Sequence, residues 1–184
     1  GKYAVSADFG RIQRLRPGYG YQGVADPNAD VARPEDSGIW RVDMESGDAE
    51  LIISIAEIAA FQADALPNDS DDAHHYFNHL LVSPDSKRFI FLHRWRGSKT
   101  RSFMTRMLTA NLADGSDLRV VDPSGYTSHF IWRDPETITA WSRHESHGNA
   151  FYHFKDVPGA AELIPEPIGL EKMPLNGHNT YLPG

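Results

Sequence analysis

The chain of 184 residues has no cysteine. Disulfides, thiol nucleophiles and thiolate metal sites are therefore excluded, any metal must be held by nitrogen and oxygen donors, and the redox compartment is left open. No run of about 18 apolar residues occurs, and the first twenty positions lack an apolar signal core, so neither a membrane span, a membrane partner nor an uncleaved secretory leader is expected. Cytoplasm and periplasm both stay open as locations. Positive charge is also scarce, with 18 Lys and Arg against 25 Asp and Glu for a formal charge of −7. That balance argues against function through bulk attraction to a phosphate backbone, although it leaves local basic patches open, and no nucleic-acid partner is expected. Long helical patterns are missing too. Only Ile55 to Gln62 (IAEIAAFQ) sets apolar residues at helical spacing, enough for two turns.

Present instead are 15 Gly, 12 Pro and 11% aromatic residues, spread among short segments rich in Val, Ile, Phe, Tyr and Trp, which is what many short strands and tight turns require. These segments recur in a fixed order. NHLLVSPDSKRFIFLHR (Asn78 to Arg94) leads through a polar connection to MLTANLADGSDLRVV (Met107 to Val121); SHFIWRDPETITAWSRH (Ser128 to His144) leads likewise to NAFYHFKDVPGAAELI (Asn149 to Ile164). A partial copy precedes them, KYAVSADF (Lys2 to Phe9) and GIWRVDMESGDAELII (Gly38 to Ile53), and GHNTYLPG (Gly177 to Gly184) opens another. Pro84-Asp85-Ser86 suits a type I turn, and Asp114-Gly115 and Ser46-Gly47 supply the positive φ that a tight hairpin needs.

Four antiparallel strands every ~45–50 residues is the layout of a β-propeller blade. The expected fold is thus all-β, a β-propeller of four-stranded antiparallel blades with only about three blades' worth present. A β-sandwich would give similar strands and turns but not the matched order. The expected boundaries are a partial blade with a long Arg-Pro-Gly-Tyr-Gly-Tyr loop at 1–54, a linker with the short helix at 55–77, full blades at 78–122 and 123–165, and a linker with the first strand of the next blade at 166–184. Propellers close with about 4–8 blades, so the missing blades of a parent chain, or self-association, are expected partners.

His79, His129 and His178 occupy one place in successive copies, 50 and 49 residues apart. The strand that each precedes or opens lines the channel of a propeller, so the three imidazoles are expected to converge, either to bind a transition metal and move protons or to hydrogen-bond the blades together. His93 and Arg94 end one second strand, and Arg143 and His144 the next. Arg101 and Arg106 flank a third strand. Guanidinium groups at a channel mouth suit a carboxylate, with ordinary solvated cations as the plain alternative. Arg16, Tyr19 and Tyr21, in a glycine-hinged loop, suit a sugar or polyanion unless the tyrosines simply pack on their own blade. His144 and His147 fall at a hairpin tip, Asn68 to Asp72 reads as a solvated linker, and Ser128 beside His129 is not expected to form a triad, because strand neighbours point to opposite faces.

From Asn78 onward the order of motifs resembles oligogalacturonate lyase, a TolB-like propeller enzyme that splits short pectic uronate chains by β-elimination. Ser128-His-Phe-Ile-Trp132 is similar to the segment bearing the family's catalytic base, which points to His129. Thr105-Arg-Met-Leu through Asp114-Gly-Ser116 is similar to the segment whose arginine pairs with the substrate carboxylate, which points to Arg106. Asn176-Gly-His-Asn179 is similar to the segment giving the first manganese ligand, which points to His178. The resemblance implies a divalent cation, manganese-type, whose remaining ligands (a Gln and two His) come from a later segment not contained in this chain, and an acidic oligosaccharide as the substrate. Arg94-Trp-Arg-Gly97 departs from the family's acidic, His-containing stretch, and the Arg-Pro-Gly-Tyr-Gly-Tyr loop has no counterpart there.

Overall fold

The computed structural model describes residues 1–97 and 102–181. They form eleven strands in three antiparallel sheets, each strand paired with its neighbour in sequence. The first sheet holds β1 (Tyr3–Ala7), β2 (Gly38–Asp43) and β3 (Ala49–Ser54). The second holds β4 (His74–Val82), β5 (Arg88–Arg96), β6 (Met104–Asn111) and β7 (Arg119–Asp122). The third holds β8 (Phe130–Asp134), β9 (Thr137–His144), β10 (Gly148–Lys155) and β11 (Glu166–Ile168). An all-β fold with little helix is what the composition leads one to expect.

Local chemistry sets the turns. Ser86 N donates to Ser83 O at 2.9 Å across Pro84-Asp85, and Ser86 takes φ 59° to return the chain into β5. Gly115 has φ 74°, and a Cβ there would lie 2.2 Å from Ile52 O in β3, so the β6–β7 hairpin needs glycine both for its turn and for its seat on the first sheet. Between β3 and β4 runs α2 (Ile55–Ala60), started by a capping box in which Glu57 N donates to Ser54 Oγ and Ser54 N to Glu57 Oε2. It buries Ile55, Ile58 and Ala59.

Two cores join the sheets. One packs Ile39, Ile53, Ile55 and Ile58 against Phe77, Phe89, Phe91 and Leu108; the other packs Ile90, Leu92 and Met107 against Trp132, Ile138, Tyr152 and Phe154. Facing residues on one strand thus serve different neighbours, which is why β5 is apolar on both faces. A polar bolt crosses the second interface: Arg88 Nε donates to Asp156 Oδ2 at 2.6 Å, Thr109 Oγ1 to Asp156 Oδ1 at 2.7 Å, and the Asp156 side chain has no exposed surface.

Several elements differ from expectation. A helix, α1 (Phe9–Leu15), follows β1 where only loop is expected; Asp8 caps it by accepting from Arg11 N, and Arg11, Ile12 and Leu15 are buried. β4 begins at His74 rather than Asn78. The outer strand of the third sheet is Glu166–Ile168, past the expected blade end at 165, because Gly159 at φ 75° turns Ala160–Glu162 into a 3-10 turn. Residues 177–181 are not a strand but lie across the third sheet, with Tyr181 Oη 2.6 Å from Thr139 Oγ1.

Candidate functional site

The three repeat-related histidines meet. The His129 and His178 ring centroids are 4.2 Å apart, and those of His79 and His129 are 6.2 Å apart. Each reaches this point differently. His79 lies where β4 slips register against β5 between Asn78 and Leu81, and its backbone takes φ 53°. Left-handed backbone at a non-glycine residue costs about 1–3 kcal/mol, and bulges of this kind re-aim side chains beside functional sites. His79 is aimed at His129 as a result. Its pKa is held below the ordinary value, first by burial and then by the neighbouring His129, Arg16 and His178.

His129 just precedes β8, fixed by Ser128 N donating to Trp141 O and Trp141 N to His129 O. Its Nδ1 lies 2.9 Å from Asn176 Oδ1 and 3.2 Å from Ser128 Oγ, and Asn176 Nδ2 donates to Ser128 Oγ. An amide oxygen only accepts, so Nδ1 donates to Asn176, and Nε2 is the ring nitrogen left for other partners. Ser128 therefore does touch His129, contrary to the strand argument, because both residues come before the regular strand begins. His178, in irregular chain, lies against the same imidazole with the two rings tilted by 58°.

Beside His79 opens a cavity of about 240 Å³ lined by Tyr19, Asn78, His79 and residues of β1 and α1. The Arg16 guanidinium stacks 3.6 Å over Tyr19 and 4.9 Å over Phe103, and Arg94 stacks 4.5 Å over the same Phe103. Tyr76, Arg94 and Thr105 are register partners across β4, β5 and β6, so they share one face, and Asn78 lies two residues along it. That face is short of partners. Of the nine buried side-chain polar atoms without a hydrogen bond among the described residues, seven are here: Arg16 Nη1, Tyr76 Oη, Asn78 Oδ1 and Nδ2, Arg94 Nε and Nη1, and Thr105 Oγ1. Burial also pushes the Tyr76 phenol up to about 12.

The opposite face of the same strands is fully bonded. Arg106 Nε donates to His93 Nδ1 at 3.1 Å, His93 Nε2 meets His75 Nδ1 at 2.8 Å, and His75 Nε2 meets Asp69 Oδ1 at 3.1 Å. Guanidinium can only donate, which fixes every proton: His93 donates to His75 and His75 to Asp69, both rings neutral. Burial lowers His93 well below the usual imidazole range and His75 to about 4, the latter opposed by Asp69. Arg106 Nη2 donates to Ile58 O and Phe61 O at the end of α2, and burial brings its pKa down to about 10.

The sequence-predicted residues are therefore divided. His79, His129 and His178 converge, with Arg16, Tyr19 and Arg94 alongside. Two assignments need correction. Arg106, expected to hold a substrate carboxylate, is 3% exposed and spends its guanidinium on main-chain carbonyls and His93. His93, expected at the channel mouth, is fully buried on the other face from Arg94, since adjacent strand residues alternate. Tyr21 stacks on Phe9 at 4.3 Å, packing the loop on its own helix. Arg143 stacks over Tyr126 and borders a separate cavity of about 590 Å³, which shares no residue with the imidazole cluster. Arg101 lies outside the described residues.

Among the described residues no three His, Asp or Glu side chains gather as a metal ion would require, and of the ligands the resemblance implies only His178 belongs to this chain. Asn176, Asn78, Phe103 and the Asp69–His75 pair were given no role by sequence reasoning, although Asn176 and Asn78 lay inside quoted motifs and Asp69 inside the Asn68 to Asp72 linker. Comparison with protein-family models, curated proteins and solved structures finds no match.

Proposed function

We propose that the three sheets are blades of a β-propeller and that the imidazole cluster acts on uronate-containing oligosaccharides by β-elimination, with His129 as the base. One observation carries the reading: Asn176 engages His129 at Nδ1, which leaves Nε2 as the nitrogen to meet a substrate proton, beside His178, His79 and Arg16. In the reaction His129 Nε2 takes the C5 proton of the uronate. The C5–H electron pair becomes the C4=C5 double bond, the C4–O bond breaks, and the departing sugar oxygen is protonated by water. Positive charge at the C6 carboxylate makes the C5 proton removable by stabilising the enolate-like transition state. The resemblance adds a manganese-type cation with His178 among its ligands; no step here is routed through it.

Only a neutral imidazole accepts the proton, so turnover should fall on acidification. A His129→Ala variant should lose at least ~100-fold in the rate of appearance of unsaturated-uronate absorbance on oligogalacturonate, the usual scale of a general base. Wild-type turnover by that variant would remove the assignment. A non-catalytic binding propeller for acidic carbohydrate is the second reading, favoured because Arg106 is tied to main-chain carbonyls instead of facing a substrate. It predicts oligouronate binding with no product formed.

A further inference from the structure

The buried arginines of this protein fall into two kinds. Arg11 donates to Asp26 and to the carbonyls of Asn28, Val31, Ala32 and His75. Arg88 bonds Asp156, Asn111, Asp117 and Thr109, and Arg106 bonds His93 and two carbonyls. Their guanidinium groups hold the fold together. Arg94, only 3% exposed, has neither an acidic partner nor a hydrogen bond at Nε or Nη1 among the described residues, and it shares Phe103 with a second cation, Arg16.

Such an arrangement is costly. A guanidinium taken out of water without a partner loses far more than an aromatic ring returns, and a second like charge on the same ring adds repulsion. The neighbours do not repair it: Asn78 leaves both amide atoms unused, and the Tyr76 and Thr105 hydroxyls are unpaired, all of them at most 5% exposed. What this wall lacks is an acceptor, and an oxyanion reaching it would take hydrogen bonds that these donors leave unmade.

We propose that Arg94 and Arg16, gathered on Phe103, are the receptor for a carboxylate of an acidic sugar, with Asn78, Thr105 and Tyr76 completing the polar wall. The identity of the ligand rests on the uronate reading above; the anion requirement does not. Tyr19, 52% exposed and stacked on Arg16, gives an aromatic surface against which a sugar ring can lie, which favours a uronate over a bare phosphate. The receptor supplies the positive charge that Arg106, facing away, does not.

The test is calorimetric titration of the whole chain with digalacturonate, a neutral galactose disaccharide and a sugar phosphate. Digalacturonate should bind, the neutral sugar should not, and Arg94→Met should weaken binding roughly 10- to 100-fold, the scale of a lost charge-assisted contact. The same variant without ligand should unfold at a temperature no lower than wild type, because it removes an unpaired charge rather than a bond. Arg16→Met, at a partly exposed position, should weaken binding similarly. Unchanged affinity in both variants, or a markedly lower unfolding temperature in R94M with affinity intact, overturns the proposal. Preference for the sugar phosphate overturns the carboxylate assignment. Arginine-dependent binding without elimination keeps this receptor and removes the lyase step; elimination that persists unaltered in R94M does the reverse.

Discussion

Acid should unfold this protein through His75 before most of its carboxylates are protonated. The imidazole has no exposed side-chain surface and sits in a chain whose donor order is dictated from one end by Arg106. A second proton on His75 would go on Nδ1, directly against the N–H that His93 points at it. Asp69 favours the cation, but burial outweighs it, and the pKa falls from 6.5 to about 4. Above 6.5 folded and unfolded chains both hold a neutral imidazole and the stabilising contribution is complete. Between 6.5 and about 4 the unfolded chain takes up a proton that the folded one refuses, so stability is lost as pH falls through this window. At 1.36 kcal/mol per pH unit the His75 share is about 3 kcal/mol, and His93, displaced in the same direction, adds to it.

Urea unfolding at a series of pH values from 7 to 4 would read this loss, with His75→Gln as the control. A glutamine can accept from His93 with its carbonyl and donate to Asp69 with its amide, but it cannot titrate. Wild type should show a steeper fall than H75Q by close to one proton over the window, and the difference between the two curves cancels the contribution of surface carboxylates. Parallel curves would refute the reasoning. So would a wild type that gains stability on mild acidification, for then Asp69 would be holding an imidazolium.

The bolt between the second and third sheets can be tested with Asp156→Ala, which leaves Arg88 buried beside a missing charge and should cost about 3–5 kcal/mol in urea unfolding; a loss below about 1 kcal/mol would show that water replaces the carboxylate. At the bulge in β4, His79→Val should be less stable than His79→Gly by about 1–2 kcal/mol, since valine meets the full penalty of a left-handed backbone and glycine none. Equal stabilities of those two variants would mean that the register slip disappears with the imidazole.

Much of this was legible because it is local. Pro84-Asp85-Ser86 and Asp114-Gly115 specify their turns by φ preference alone, IAEIAAFQ carries its own helical period, and the spacing of His79, His129 and His178 brings equivalent positions together once strands repeat. The short helix α1 was hidden: seven residues with Gly10 at the second position carry too few periods to stand out, and its stability comes from Arg11 reaching carbonyls up to 64 residues away. Long-range saturation of that kind leaves no local trace. Residues 177–181 were read as a strand for the same reason; what fixes them is contact with the third sheet, as in the Tyr181–Thr139 pair.

Arg94 and Arg106 divide between the two faces of one sheet. Both arginines lie on neighbouring strands near His93, and nothing in the surrounding sequence distinguishes a structural guanidinium from a receptive one. Register does. With His93 opposite Phe77 and Arg106, and Arg94 opposite Tyr76 and Thr105, one face of β4–β6 receives the end of α2 and the Asp69 loop, whose carbonyls and carboxylate satisfy every donor sent there. The other face receives a ring, a second cation and two unfilled amide atoms. A fold selected only for stability would replace Arg94 with an apolar side chain, as Leu92 and Ile90 already are on that face, because the exchange removes a desolvation cost and gives up no bond. The proposed receptor accounts for Arg94 on this ground, since a ligand oxyanion would accept from the Nε and Nη1 that have no partner among the described residues.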